Sequence, residues 1–467
     1  MKKSSRLHNL LSALLLLVAI SLNAQEAKYI FYFIGDGMGP GQVMMTDLYK
    51  REALGDSLPL TMLQLPVQSL MTTYSASSPV TDSAAAGTAL STGVKTKNSM
   101  LGMDPDTVAV TSIAKILHDN GYGVALMTNV AADDATPGAF YAHVPNRGRY
   151  YEIGRQAAES GYELIAGSAL RGMNRDGQPT DLAQYIASQG VEILSSPQAV
   201  DASDARRIIL IPDNSLWEWN MGFNVDNIEG EMSVNDLTLT AINHLSRHTP
   251  DKFFMMVEGG NIDHAGHAND GGAVVKEVLA FDNAIASALD FYRSHPDETL
   301  IVITADHETG GMSIGNNHTG YMAYPRYLVP QKMSKDVFSG YCDSLASSDS
   351  KPSWDEMKQY LSDNLGLFSE IPLSQRRENR LREVFDETFV QGMTRRQETL
   401  YSNFNRFAVE VFEMLNEKAG VGWTTLSHSG TFVPLFAIGV GAELFTGLND
   451  NTTVPMKILS AAGLPAK

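Results

Sequence analysis

The sequence predicts an α/β fold: a three-layer domain with a mostly parallel central β-sheet flanked by helices, plus a helical insertion that forms a cap. Three observations predict it. Apolar, β-branched or aromatic runs alternate with amphipathic helical stretches, the pattern of parallel sheets joined by helical crossovers. Acids follow four of those runs, at the strand ends where α/β sheets bind ligands. Residues 321–420 break the alternation with helical stripes.

The elements follow in chain order. Lys2, Lys3 and Arg6 precede an apolar run at 10–22, and Leu22-Asn23-Ala24 is a small-residue cleavage site. This order reads as a secretory signal peptide over 1–24, too short to span a bilayer. It places the mature protein in the periplasm or outside the cell. The first strand is expected at 28–34 and runs into Gly35-Asp36-Gly37. Asp82-Ser83-Ala84 opens a run of small residues that suits a helix starting near Ser83. A helix is expected at 111–120, capped by Thr111 and ended by Gly121, and a strand at 123–128 leads to Asp133-Asp134-Ala135-Thr136. A strand at 207–211 and a helix at 234–248 come next. The strand at 252–257 runs into Glu258-Gly259-Gly260, and after a helix at 274–292 the strand at 299–304 runs into Ala305-Asp306-His307. A last strand is expected at 432–438, just after Ser427-His428-Ser429-Gly430.

Within 321–420, Ser353-Trp354-Asp355-Glu356 matches a capping box. Trp354, Met357, Leu361 and Leu365 then recur at helical spacing. Leu381, Val384, Phe385 and Phe389 form a second stripe, and Phe404, Phe407, Val411 and Leu415 a third. Such stripes read as core rather than as a substrate box. The domains expected are therefore the signal peptide at 1–24, an α/β domain built from 25–320 and 421–467, and the cap at 321–420.

Composition narrows the function. The chain of 467 residues carries a net charge of −18, and loss of the three basic residues of the leader takes it to about −21. A basic surface for duplex nucleic acid is excluded. Cys342 is the only cysteine, so no intramolecular disulfide forms, and it reads as a surface or half-buried thiol. His118, His244, His248 and His295 read as surface residues of helices, and His318 as a loop residue.

The remaining His and acids point to metal chemistry. Asp263 and His267 are four apart and share one face of a helical turn. Asp306-His307 offers adjacent oxygen and nitrogen ligands, and His428 precedes the last strand. His with carboxylates suits Zn²⁺, and carboxylates with a hydroxyl suit Mg²⁺. Ser83 at a helix N-terminus meets free N–H groups and a partial positive charge, which attract anions. The plainer reading of Asp82 or Ser83 is an ordinary N-cap.

Seven motifs in order resemble the alkaline phosphatase family: Gly35-Asp36-Gly37-Met38-Gly39, Thr81-Asp82-Ser83-Ala84, Gly93-Val94-Lys95-Thr96, Asp134-Ala135-Thr136-Pro137, residues 258–267, Asp306-His307 and His428-Ser429-Gly430. The resemblance runs from residue 28 to the C-terminus and leaves out 321–420. It implies hydrolysis of phosphate monoesters by two-metal catalysis through a phosphoserine at Ser83. It implies that Asp263, His267 and His428 hold one Zn²⁺, and that Asp36, Asp306 and His307 hold a second. Asp36 then bridges to a Mg²⁺ bound by Asp134, Thr136 and Glu258, and Arg147 clamps the phosphate. His264 stands where relatives also carry Lys or Trp, beside Asp134, and is assigned to the phosphate side. Thr309 stands where some relatives carry a His that supports a metal ligand. Two alternatives accompany this reading: a phosphodiesterase or sulfatase of the same superfamily, and a phosphate-binding protein of low turnover. Family members are often dimers, so a homodimer is an expected assembly.

Overall fold

The computed structural model describes residues 25–212 and 220–465. The leader read at 1–24 lies outside them. Ten strands form one sheet: β1 Tyr29–Ile34, β2 Val67–Thr72, β3 Gly123–Thr128, β4 Leu164–Ala166, β5 Glu192–Leu194, β6 Ile208–Leu210, β7 Phe253–Glu258, β8 Thr299–Thr304, β9 Val433–Gly439 and β10 Leu448–Asp450. Their spatial order is β10-β2-β9-β8-β1-β7-β3-β4-β6-β5. Only β9 runs against the others, pairing antiparallel with both β8 and β2. The expected mostly parallel sheet is therefore present.

β3, β7 and β8 are buried along their whole length, and β1 at all but its first residue. Helices cover both faces of a parallel sheet, so its central strands carry continuous apolar runs rather than alternating ones. β2, paired on both sides but with the mixed sequence VQSLMT, lacks such a run and leaves no comparable trace in the sequence.

Register brings the strand ends together. Ile34 pairs with Thr304 on one side and with Glu258 on the other, and Thr128 also pairs with Glu258. The four strands that precede the acids are thus neighbours, in the order β8-β1-β7-β3, and they end at one level. Asp306, Asp36, Glu258 and the segment 129–136 consequently leave the sheet on the same edge.

Helix Ser83–Thr92 begins at Asp82, whose Oδ1 accepts from the Ala85 N–H at 3.0 Å. It packs so closely on the turn Ala135–Gly138 that a Cβ on Gly87 would lie 3.3 Å from the Thr136 Cα. The small-residue run permits that approach. The helix expected at 111–120 is observed at Ile113–Asp119, and its cap is Ser112 rather than Thr111 because the Ser112 Oγ accepts from the Lys115 N–H.

Residues 321–420 contain helices Lys335–Ser347, Trp354–Leu365, Gln375–Phe385 and Arg406–Ala419. The capping box of Ser353 and Glu356 is formed. Trp354, Leu361, Phe385, Phe389 and Phe407 share an apolar cluster distinct from the one around the sheet. A two-residue antiparallel ladder, Ser313–Ile314 with Val421–Gly422, joins the segment's entry to its exit.

Two expectations fail here. Cys342 is fully buried in the second apolar cluster, because it lies on the inner face of its helix four residues from Phe338. His244 is also buried, with Nε2 against the Arg206 carbonyl at 3.0 Å. Burial pushes the Cys342 thiol well above its ordinary pKa, which suppresses the reactive thiolate. Cys342 should therefore resist a water-soluble thiol reagent in the native protein and react stoichiometrically once denaturant is added. Equal rates in both states would contradict its placement.

Candidate active site

The site forms where the four strand ends meet the N-terminus of helix Ser83–Thr92. Gly37 sits in the left-handed region at φ 71°, and a Cβ there would lie 2.8 Å from the Asp263 Cα and 2.9 Å from the Thr309 Oγ1. A glycine lets the Asp36 turn press against helix Asn261–Ala268. The Gly37 N–H donates to Asp306 Oδ1 at 3.2 Å, and the His307 N–H donates to the same oxygen at 2.8 Å.

Three imidazoles are fixed in one tautomer. His267 Nδ1 donates to the Leu426 carbonyl at 2.6 Å, and His428 Nδ1 donates to the Thr81 carbonyl at 2.9 Å. A carbonyl only accepts, so each Nδ1 carries the proton and each Nε2 is a bare lone pair. These two Nε2 atoms face each other at 3.1 Å. Asp263 Oδ2 is 3.4 Å from His267 Nε2, and Asp263 Oδ1 is 3.6 Å from His428 Nε2. Thr309 Oγ1 donates to Asp263 Oδ1, so it accepts from His307 Nδ1 at 3.3 Å. His307 Nε2 is then also bare. It lies 3.2 Å from Asp306 Oδ2, 3.4 Å from Asp36 Oδ1 and 3.2 Å from Ser83 Oγ.

Lone pairs facing lone pairs and carboxylates repel unless a cation lies among them. Asp36 Oδ1, Asp263 Oδ2 and Asp306 Oδ2 are buried without a hydrogen-bond partner among the described residues, a costly state for a carboxylate. The donor set of imidazole nitrogen and carboxylate oxygen fits a divalent metal of the zinc kind. Two groups have ligand atoms within 4.8 Å of one another: Asp263, His307 and His428, and Asp36, Asp306 and His307. His307 stands between the two groups, and His267 adjoins the first through His428.

Electrostatics agree with this geometry. Burial, then the nearby Asp306, Asp263 and Glu258, push Asp36 well above the usual carboxylate range. Burial raises Asp306 to about 7 and Glu258 to about 8. Burial also acts to raise Asp263, but the imidazoles of His267, His428 and His307 outweigh it and hold the carboxyl low. Burial drives His307 and His428 down, keeping both neutral.

Glu258, Thr136 and Asp134 lie beside these groups. Glu258 Oε2 accepts from Thr128 Oγ1. Thr136 Oγ1 is buried near Glu258 without a sound hydrogen bond. Asp134 caps its own helical turn through the Ala135 N–H and binds Arg147 Nη2 at 2.9 Å. Arg147 Nη1 lies 3.8 Å from Asp82 Oδ2. The guanidinium is thus aimed by two acids. Its backbone is pinned by the bridge of Leu101 with Val144 and by the Arg147 N–H to the Ser99 carbonyl at 2.8 Å.

His264 lies on the next face of helix Asn261–Ala268. Its Nδ1 is 3.0 Å from Asn220 Nδ2, and its ring meets that of Tyr401 with centroids 3.9 Å apart. Burial lowers it to about 4, so it is neutral at pH 7. Tyr401, Thr128 and Asn220 were not anticipated. Tyr401 lies in the segment without family motifs, and nothing local marks it. Thr128 was findable as the last residue of a strand adjoining the one that ends at Glu258.

A family model described as "Alkaline phosphatase" matches residues 27–177 and 215–464. Alkaline phosphatase 4 of Bacillus subtilis is 28% identical over 488 aligned residues, which cover 97% of each chain. The cold-active alkaline phosphatase of Shewanella sp. superposes with a TM-score of 0.78 at 26% identity, covering 93% of this chain and 99% of that one. The Thermus thermophilus alkaline phosphatase gives 0.76 at 25% identity, over 95% and 94%.

The raised carboxyls set a pH dependence for the metal-stripped protein. Glu258 moves from an ordinary 4.5 to about 8, and Asp306 from 3.8 to about 7. Between those limits the folded chain holds protons that the unfolded chain has released, so folding stability falls as pH rises. The buried neutral histidines oppose this below their ordinary pKa of 6.5, so thermal melts of stripped protein should show a falling Tm from pH 7 to pH 8. Restoring metal at pH 8 should reverse the fall, with proton release on binding. A stripped protein whose Tm is flat or rising over that range would contradict the burial of these acids without partners.

Proposed function

The chain belongs to the alkaline phosphatase family and hydrolyses phosphate monoesters to an alcohol and inorganic phosphate; we propose that it does so through Ser83. One observation carries the proposal. Three imidazole Nε2 lone pairs and the unpartnered oxygens of Asp36, Asp263 and Asp306 converge beside the Ser83 Oγ.

Ser83 Oγ occupies the first turn of its helix, where the backbone N–H groups and the helix dipole favour negative charge on both the nucleophile and the phosphoryl group. In the first step the Oγ–P bond forms as the ester P–O bond breaks, and the alcohol departs with a proton. In the second, water attacks the phosphoserine, freeing Ser83 and inorganic phosphate. Arg147, held between Asp134 and Asp82, presents two N–H donors to phosphoryl oxygens. His264, neutral and with Nδ1 turned to Asn220, carries its proton on Nε2 at the ring tip, as a donor on the phosphate side.

In this reading Asp263, His267 and His428 hold one Zn²⁺, and Asp36, Asp306 and His307 hold the second. Asp36, Thr136, Glu258 and Asp134 serve a Mg²⁺. When bound, the two zinc ions stabilise charge on the attacking and leaving oxygens. The segment 321–420 acts as the cap over this pocket. The basic, apolar and small-residue order at 1–24 supports export to the periplasm or beyond. Among the described residues no helix is long and apolar enough to cross a membrane.

Ser83→Ala should lower kcat by orders of magnitude with Tm and metal content unchanged, and acid quenching of the wild-type chain with a monoester should trap phosphate on Ser83. Near-native turnover in Ser83→Ala would refute the nucleophile. Arg147→Ala should raise KM and the phosphate Ki by about 10–100-fold, the range for hydrogen bonds to charged groups. An unchanged Ki would show that the guanidinium does not meet phosphate.

A further inference from the structure

Tyr401 belongs to the segment 321–420, yet its ring reaches the site. It lies 3.9 Å from the His264 ring and 5.2 Å, edge-on, from the His267 ring, centroid to centroid. Its hydroxyl is within electrostatic reach of Asp263, Arg147, Asp134 and Asp36. Among the described residues the hydroxyl has no hydrogen-bond partner, and the side chain is half-buried.

The support under Tyr401 is rigid. It sits at the tip of a hairpin, Arg396–Glu398 paired antiparallel with Asn403–Asn405. The turn is closed by the Thr399 N–H to the Ser402 carbonyl at 2.8 Å and by the Ser402 N–H to Thr399 Oγ1 at 3.1 Å. Ser402 Oγ donates to Asp336. In the stem, Arg396 makes a two-pronged contact with Asp343 at 2.9 and 2.6 Å, and Asn405 Nδ2 donates to the same carboxylate. Lys335 ties the hairpin to the metal-ligand helix, donating to Gln397 Oε1 at 3.0 Å and to the Ala268 carbonyl at 2.9 Å. Ala268 directly follows His267. A donor held this firmly loses little entropy on meeting a ligand.

We propose that Tyr401 is a substrate-contacting residue: its hydroxyl donates to a phosphoryl oxygen, across the pocket from Arg147, while its ring holds His264 in place. The inference rests on the phosphomonoesterase reading of this pocket. It assigns part of the phosphate site to the inserted segment of the same chain. Anchoring by packing alone would not need a hydroxyl that the protein leaves unbonded on a ring stacked against His264 and His267.

The test compares Tyr401→Phe with Tyr401→Ala in the full, metal-loaded chain, using inorganic phosphate binding by calorimetry beside steady-state kinetics. Tyr401→Phe keeps the ring stack, so Tm and metal content should stay at wild-type values. Its phosphate Kd should rise about tenfold, as for one hydrogen bond to a charged group, and kcat/KM should fall in proportion for aryl and alkyl monoesters alike. Tyr401→Ala should show the same loss and a further drop from release of His264. Unchanged phosphate affinity in Tyr401→Phe, with Arg147→Ala still weakened, would overturn the role of the hydroxyl and leave the phosphatase reading standing. Absence of phosphate binding in the wild-type chain would instead remove the reading on which the inference rests.

Discussion

The site depends on imidazole lone pairs held face to face. His267 and His428 each give their Nδ1 proton to a backbone carbonyl, which leaves two bare Nε2 atoms 3.1 Å apart. Among the described residues no donor relieves that contact. Around it stand buried carboxylate oxygens that also lack donors. Burying such groups costs several kcal/mol each without a compensating charge. Folding therefore assembles an arrangement that a divalent cation stabilises, and metal binding and stability are linked.

The surrounding architecture bears this cost. Four parallel strands in register end at one level, and their buried apolar runs fix the acids that follow. The short ladder of Glu308–Thr309 with His428–Ser429 brings His428 back to His307 from a distant part of the chain. Glu308 locks that ladder. It accepts from the Gly311 and Met312 N–H groups, both at 3.0 Å, and from Gln42 Nε2 at 2.7 Å. Thr309 adds a relay in which His307 donates to its hydroxyl and the hydroxyl donates to Asp263. One small side chain thereby orients a donor in each of the two groups that could hold a metal, the task a larger second-layer partner performs elsewhere.

Much of this arrangement was legible in the sequence, for physical reasons. Strands buried on both faces write long apolar runs, so β1, β3, β7 and β8 were located to within a residue or so. Turn acids next to glycine mark where a backbone must approach another, as Gly37 does against Asp263. The i, i+4 spacing of Asp263 and His267 is a local signal on one helix. Contacts that join distant segments were not legible. Tyr401 meets His264 only because a hairpin inside 321–420 folds back over the sheet edge. Cys342 is followed by Asp343 and Ser344 and His244 is preceded by Asn243 in the sequence, yet both face inward from helices.

The central claim is that these lone pairs and unpartnered carboxylates are a pair of metal sites next to Ser83. Anomalous diffraction at the zinc edge, from crystals of the chain reconstituted with zinc and magnesium, tests it most directly. Two zinc peaks are expected, one bounded by Asp263, His267 and His428 and the other by Asp36, Asp306 and His307, the second adjoining the Ser83 Oγ. Zinc bound elsewhere, with the three Nε2 atoms taken up by protein hydrogen bonds, would contradict it.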